Sequence, residues 1–372
     1  MTDSQLRTSP LHAEHEKLGA TFTPFGPWNM PLKYDNELDE HRAVRTSAGL
    51  FDLSHMGEIW VNGDDAADFL SYAFISNLVP LKPGKAKYTM MAAEDGGIID
   101  DLIVYRLEDT KFLVVPNAGN TDAVWEALNQ RAEGFDVELK NESQDVALIA
   151  IQGPKAAEIL VPLVEDGKQD AVFGMDYYSA LTGKVARKYA FICRTGYTGE
   201  DGFEIIVYNS DALELWNDLL QAGQEYGMLP CGLAARDSLR LEAGMPLYGN
   251  ELTRDITPVE AGMARAFAKK NADFVGADVM RARAAEGPAQ QIMGLTSEQR
   301  RAARAGAEIF VGEDKVGVIT SGLPSPTLGY PVALALVNTA AGLEPGAPVE
   351  VDIRGRRYPF VISATPFYKR ES

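Results

Sequence analysis

Cysteine and histidine are scarce in this chain of 372 residues, which holds two of the first and four of the second. Cys193 and Cys231 lie far apart and outside any CxxC spacing, so a disulfide framework and a zinc ribbon are both excluded. Positive charge is short as well: 35 Lys and Arg stand against 53 Asp and Glu, a formal net charge of −18. Such a field repels polyanions at long range, which argues against nucleic acid as a partner while leaving room for a local basic pocket that takes a small anion. No apolar run nears the roughly 18 residues of a membrane helix, so no membrane association is expected. The segment MTDSQLRTSPLH has one arginine and no apolar centre, unlike a secretory signal or a transit peptide, and a bacterial-type cytoplasm is the expected address. The familiar catalytic templates are missing too. There is no GxSxG, Walker loop or HExxH, and no GxGxxG ahead of a helix, so hydrolase, P-loop, zincin and Rossmann chemistry lose their usual support. Any chemistry must come from carboxylates, arginines and tyrosines.

What is present is a globular composition, 46% hydrophobic and 24% charged, which excludes a disordered chain and suits two or three domains. Residues 11–49 read as helix, a Pro/Gly-punctuated turn (TPFGPWNMPLKY) and a second helix over 37–48 capped by Asn36. Strands follow at 58–61, 87–92, 98–107 and 111–115, with helices at 64–75 and 121–130. Next come strand 146–151, helix 154–164, strands 188–194 and 203–208 about the turn GYTGEDG, and helix 211–226. Strands fall partly in adjacent pairs rather than in strict βαβ alternation, so the class is α+β. After a helix at 277–286, short strands at 291–296, 307–311, 315–320, 330–337, 349–353 and 358–363 alternate with Gly/Pro turns and predict a small antiparallel barrel. The division expected is an α+β region over 8–275 and a β-barrel domain over 288–370. The basic stretch EQRRAAR (298–304) reads as a solvated loop.

Three local patterns stand out. In GGIIDDLIVY (96–105), neighbours on a strand point to opposite faces and both faces are apolar, so at least one of Asp100 and Asp101 meets an apolar setting. Such carboxylates are enriched at functional sites, although a hairpin turn with two solvated acids fits the same residues. In GYTGEDGFEI (196–205), three glycines allow a tight backbone course and Glu204 sits on a strand among apolar neighbours. A wet strand face would explain Glu204 equally well. In AARDSLRLEAG (234–244), Arg236 and Arg240 lie four apart on one helix face, repel one another, and want an anion from protein or ligand. His55, in SHMG, reads as a packed histidine rather than a catalyst.

Taken together with HRAVRTSAGLFDLSHMGEI (41–59), PNAG (116–119), IQGP (151–154), GLAARDSLRLEAGMPLYGNEL (232–252), TPVEAG (257–262) and ITSGLPSPTLG (319–329), these blocks resemble the aminomethyltransferase, or T-protein, family of the glycine cleavage system. They occur in the family's order over nearly the whole chain. Departures are mild: FGPWNMP replaces a version of FAGWxMP, and VALALV replaces a glycine-containing run. The resemblance implies a three-lobed fold, with two α+β lobes and a C-terminal antiparallel β-barrel around a central folate channel. It implies transfer of the methylene carbon from the aminomethyl-lipoyl H-protein to tetrahydrofolate, with release of ammonia. By the motif match Asp101 is the catalytic aspartate, Glu204 the pterin-binding glutamate and Arg236 the folate-site arginine, with Tyr88, Asn117, Tyr197, Phe367 and Tyr368 as further pocket residues. The implied partners are the lipoyl-carrying H-protein and tetrahydrofolate, the latter as co-substrate, and no metal is required. A positive rim drawn from Arg236, Arg240 and the 300–304 segment is expected, because folate tails and lipoyl carriers are commonly acidic. The competing readings are another folate-dependent demethylase and a non-catalytic folate-binding protein on the same fold. The chain has GYTGEDGFE rather than a KGCYxGQE-like segment and no flavin fingerprint, which disfavours both.

Overall fold

Local rules account for the first elements. In the computed structural model, which describes residues 6–370, the Asn36 side-chain oxygen accepts from the Leu38 N–H at 3.0 Å and starts the helix Glu37–Thr46, as its cap position predicts. The stretch before it is more than a turn. Thr21–Phe25 and Trp28–Lys33 form a hairpin, and Arg7–Thr8 adds a third strand parallel to Trp28–Lys33. Prolines disguise this hairpin in the sequence. Pro24 lies on an edge strand, and Pro31 sits opposite the register shift at Thr21/Phe22, two places where a missing N–H is tolerated.

The chain divides into two compact units. The first comprises the residues through Leu70, Leu78–Tyr88 and Leu102–Asp237; the second comprises Ser71–Asn77, Thr89–Asp101 and the residues from Ser238 onward. Among the described residues, no helix is long and apolar enough to cross a membrane.

The first unit is built on an eleven-stranded sheet, two of whose strands, Lys85–Ala92 and Ile98–Glu108, run on into the second. Its order is Leu229–Cys231, Gly49–Asp52, Val146–Gln152, Gly202–Tyr208, Lys188–Arg194, Ser179–Val185, Lys85–Ala92, Ile98–Glu108, Lys111–Val115, Ile59–Asn62 and Glu138–Asn141. All seven residues of Val146–Gln152 are buried, which is why VALIAIQ shows no alternation. The helix Asn209–Gly223 contributes Leu215, Trp216 and Leu219 to the same core as Ile149 and Ile151. Ser179–Val185 has no counterpart in the sequence reading. It pairs with Lys188–Arg194 through Ala186 and Arg187, whose φ values of 47° and 67° belong to a turn that usually takes Asn or Gly, so no turn signal announces it.

The second unit contains the closed antiparallel barrel expected from six short strands: Gln290–Thr296, Pro331–Asn338, Asp314–Pro324, Glu308–Val311, Pro348–Asp352 and Arg357–Ser363 in order. Leu295, Ile309, Ile319, Ala335, Val351 and Phe360 fill it. Two distant sequence blocks interlock beside it. Arg240, fully buried, donates to Glu251 Oε2 at 3.0 Å, to the Met245 carbonyl at 3.1 Å and to Ser321 Oγ at 2.8 Å. Thr320 Oγ1 donates to the other Glu251 oxygen. Glu242 accepts from Ser325 Oγ, from the Thr327 N–H at 3.0 Å and from Thr327 Oγ1 at 2.8 Å. Acids and a base from 232–252 are thus satisfied by hydroxyls of 319–329. Arg240 therefore cannot contribute to a positive rim: its anion is Glu251, and the pair is sealed from solvent.

Removing one member of such a pair leaves the other charge buried and uncompensated, at a cost of about 3–5 kcal/mol. Arg240→Met should therefore lower the stability of the chain by that order in urea unfolding, and Arg240→Met/Glu251→Gln should recover a large part of it. A double variant no more stable than the single one would show that packing, not charge, accounts for the loss.

Candidate functional site

The hairpin that leads to the aspartate pair closes tightly. Gly96 has φ +84°, and a Cβ on Gly97 would lie 2.1 Å from the Arg254 carbonyl oxygen, so the two glycines are needed as they stand. Asp95 Oδ1 accepts from the Gly97 N–H at 3.0 Å, and Arg254 donates to the Gly97 carbonyl at 2.7 Å. The turn ends at Gly97 and the strand begins at Ile98, so both aspartates lie on the strand rather than in the turn. Alternation then separates them. Asp100 is fully buried on the side of Ile98, Leu102 and Val104, while Asp101 is half-buried beside Ile99 and Ile103. Tyr248 donates to the Ile98 carbonyl at 3.0 Å, and its phenol is held above the ordinary range by burial first and by the charge of Asp100 next.

Glu204 lies on Gly202–Tyr208, half-buried between Phe203 and Ile205. Its Oε2 accepts from Thr195 Oγ1 and, at 3.4 Å, from the Tyr105 hydroxyl, and the two hydroxyls lie 2.8 Å apart. Tyr105 comes from Ile98–Glu108, with three strands between it and Gly202–Tyr208 in the sheet order. The sheet therefore curls until strands far apart in its order face one another, and Tyr105 meets Phe191 edge-on at 5.6 Å inside the curl. No described residue donates to Glu204 Oε1. One carboxylate oxygen is thus fixed by hydroxyls, while the other accepts no hydrogen bond among the described residues.

The loop GYTGEDG is fastened from three sides. Gln152 Nε2 donates to the Thr195 carbonyl at 3.0 Å, and its Oε1 accepts from Thr198 Oγ1 at 3.0 Å. Gln152 lies so close that a Cβ on Gly196 would overlap its amide, at 1.9 Å from Oε1. Arg45, buried on Glu37–Thr46, donates to the Thr198 carbonyl at 2.7 Å and to Glu200 at 2.8 Å. Arg194 makes a bidentate pair with Asp201 at 3.0 and 2.6 Å. Held this way, Tyr197 offers its ring face to Arg236, whose guanidinium carbon sits 4.7 Å from the ring centre. Arg236 is half-buried near the start of the helix Leu233–Glu242.

The first unit accordingly holds Glu204, Arg236, Tyr197, Tyr88 on Lys85–Ala92 and Asn117 in the PNAG turn after Lys111–Val115, all half-buried. The second holds Asp101 and Tyr368, whose N–H donates to the Glu242 carbonyl at 2.8 Å. Phe367 packs over Gly294 in that unit. Sequence reasoning overlooked Tyr105, Thr195, Gln152 and Arg45. Gln152 lies in a block carrying the resemblance, and Thr195 directly precedes another, but their reach across the fold leaves no local pattern. His55 is a packed histidine as expected, 2% exposed and edge-on to Phe25 at 5.4 Å.

Comparison with known proteins is consistent along the whole chain. Residues 11–271 match the GCVT N-terminal domain family, and residues 290–369 match the glycine cleavage T-protein C-terminal barrel domain. An aminomethyltransferase of Corynebacterium aurimucosum is 81% identical over 98% of this chain and 98% of its own. One from Streptomyces coelicolor is 50% identical over the full length of both. The crystal structure of the glycine cleavage system aminomethyltransferase T from Bartonella henselae superposes with a TM-score of 0.90 at 39% identity, covering 98% of this chain and 99% of that one.

Burial first, and the charge of Arg236 second, hold the His55 imidazole at about 4. The unfolded chain, with a histidine near 6.5, then binds the extra proton between those values. The neutral ring's contribution is complete above about pH 6.5 and is lost as the pH falls toward 4, on the order of 3 kcal/mol in all. An NMR titration should find the His55 ring neutral at pH 5.5, and the stability advantage of the unaltered chain over His55→Gln should shrink on acidification. A ring that titrates near 6.5 would contradict this placement.

Proposed function

We propose, from the premise that this chain belongs to the glycine cleavage T-protein family, that it takes the aminomethyl group borne on the lipoyl arm of the H-protein and passes its methylene carbon to tetrahydrofolate, releasing ammonia and the dihydrolipoyl carrier. The enzyme is an aminomethyltransferase of glycine cleavage. A cytoplasmic address belongs to the same reading. So does a working division into residues 8–275 and 288–370, which the two family ranges support.

The observation that carries the folate assignment is the Glu204 carboxylate with one oxygen tied and one open. A pterin presents adjacent N–H donors on one edge, and a carboxylate whose orientation is already fixed by Thr195 accepts from them without an ordering cost. Arg236, its guanidinium carbon 4.7 Å from the Tyr197 ring centre, suits the anionic glutamate end of folate, because a planar guanidinium presents paired N–H donors that match a carboxylate. Tyr88, Asn117 and Tyr368 are assigned, by the family resemblance, to further contacts with the folate. Tetrahydrofolate is a co-substrate here, consumed at each turnover.

Asp101 is assigned the proton transfer. Its half-buried position, against full burial of Asp100, makes it the member of the pair open to a ligand. There it orients the folate nitrogens and relays their protons: two bonds form from the methylene carbon to folate nitrogens as its bonds to the amino nitrogen and to the carrier sulfur break, and the two displaced N–H protons leave on ammonia and on the carrier thiol. Asp100 supports the strand from the other face.

Two measurements test these roles. Glu204→Ala should weaken equilibrium binding of tetrahydrofolate with the fold intact, and unchanged affinity would remove Glu204 from the site. Asp101→Asn should lower turnover by about 10²–10⁴ with a much smaller loss of folate binding. Asp100→Asn should cost far less activity. Near-normal turnover in Asp101→Asn, or an equal loss from Asp100→Asn, would sink the assignment.

A further inference from the structure

The loop between Lys188–Arg194 and Gly202–Tyr208 closes around one side chain. Gln152 ends the strand Val146–Gln152 directly opposite Gly202, and only 2% of it is exposed. A Cβ on Gly196 would lie 1.9 Å from its Oε1, and one on Gly202 would lie 2.5 Å from its Nε2. The glycines at the two ends of the loop therefore leave the space that this amide fills. Its orientation follows from its neighbours. The Thr195 carbonyl can only accept, so Nε2 faces it at 3.0 Å, and Oε1 then takes the hydroxyl proton of Thr198, also at 3.0 Å. With that proton committed, the Thr198 oxygen accepts from the Glu200 N–H at 3.2 Å. Thr195 and Thr198 are both buried, so loss of the amide would leave a carbonyl and a hydroxyl unpaired away from water.

The two ends of that amide lead to the two ends of the candidate folate site. Thr195, held by its carbonyl, donates its hydroxyl to Glu204 Oε2, and the Tyr105 hydroxyl lies 2.8 Å from it. Thr198, held by its hydroxyl, directly follows Tyr197, whose ring centre lies 4.7 Å from the Arg236 guanidinium carbon. Among the described residues, Gln152 hydrogen-bonds to neither Glu204 nor Arg236. We propose that Gln152 is a positioning residue for tetrahydrofolate, its single amide setting both the carboxylate that meets the pterin and the tyrosine–arginine pair that meets the glutamate tail. The inference rests on the folate assignment given above. Because one planar group holds both anchors, their spacing is set before the ligand arrives, which spares the complex the cost of ordering them.

The test uses the full chain, with the Kd for tetrahydrofolate from equilibrium binding and KM and kcat from ammonia release with aminomethylated carrier protein. Gln152→Met keeps the volume and removes both hydrogen bonds; Thr198→Val removes only the one at the tail end. Gln152→Met should raise Kd and the KM for tetrahydrofolate roughly tenfold or more, with a smaller loss of kcat because Asp101 is carried by a different strand. Thr198→Val should raise them by a smaller factor. In the Glu204→Ala and Arg236→Gln backgrounds the penalty of Gln152→Met should shrink to about threefold or less, since part of what it holds is already gone. Unchanged affinity in a folded Gln152→Met, or the same penalty in every background, would mark Gln152 as merely structural and overturn the proposal. If Gln152→Met does not fold, Thr198→Val carries the test: its penalty should disappear beside Arg236→Gln and persist beside Glu204→Ala, and any other pattern overturns the proposal. Failure of the folate reading looks different. The unaltered chain then binds no tetrahydrofolate, or neither Glu204→Ala nor Arg236→Gln alters its affinity, and both conclusions fall together.

Discussion

Charged side chains inside an apolar sheet must find partners or give up their charge, and the architecture of both units turns on how that demand is met. An ionised carboxylate left alone in such a place costs several kcal/mol. Asp52 escapes the cost through His15 at 2.8 Å: burial pushes its carboxyl upward, but the bond and charge of His15, helped by Ser54 and Ser9, outweigh it and hold it low. Glu200 is met by Arg45, and Glu251 by Arg240. Glu58 has no hydrogen bond to either carboxyl oxygen among the described residues, and burial alone pushes its carboxyl well above the usual range, which favours the neutral form. Glu204 differs from all of these. Its partners are hydroxyls on one oxygen only, so it is oriented without being neutralised by an internal cation.

That arrangement explains why the sheet must curl. Thr195 comes from the end of the strand next to Glu204, but Tyr105 arrives from across the concave side, and its ring is packed against Phe191 before its hydroxyl reaches the pair. Burial raises the Tyr105 phenol well above its ordinary range, with the charge of Glu204 acting the same way, so it remains a donor throughout the neutral range. The loop behind it is fixed as firmly. Gln152 fills the space in which any side chain on Gly196 would sit, so the glycine and the glutamine require each other although they are far apart in the chain.

Much of this was legible in the sequence, for reasons that can be stated residue by residue. The barrel could be read because its strands are short and its turns rich in Gly and Pro, and the helix 277–286 because its Ala-, Arg- and Met-rich run lies between Gly276 and Gly287 with no breaker inside it. The separation of Asp100 from Asp101 follows from alternation once the strand start is known, and Gly96–Gly97 set that start. What could not be read depends on contacts rather than pattern. The strand Ser179–Val185 hid behind a turn made of alanine and arginine, and the hairpin after residue 20 hid behind its prolines. Tyr105 and Thr195 leave no mark in the sequence, because hydroxyl partners lie on strands that become neighbours only when the sheet curls.

Arg236 and Arg240 show the limit most sharply. Four residues apart on one helix, they share a face and, by sequence, a role. The structure separates them: one lies half-buried over an aromatic ring, and the other is buried within a carboxylate, a carbonyl and a hydroxyl. An arginine's function is decided by whether the surrounding acids are close enough to neutralise it. The formal charge of −18 conceals this, because the acids that complete Arg45, Arg194 and Arg240 are consumed internally. What matters for an anionic substrate is the set of cations left over after those pairs are made, and that set can be counted only in the folded chain.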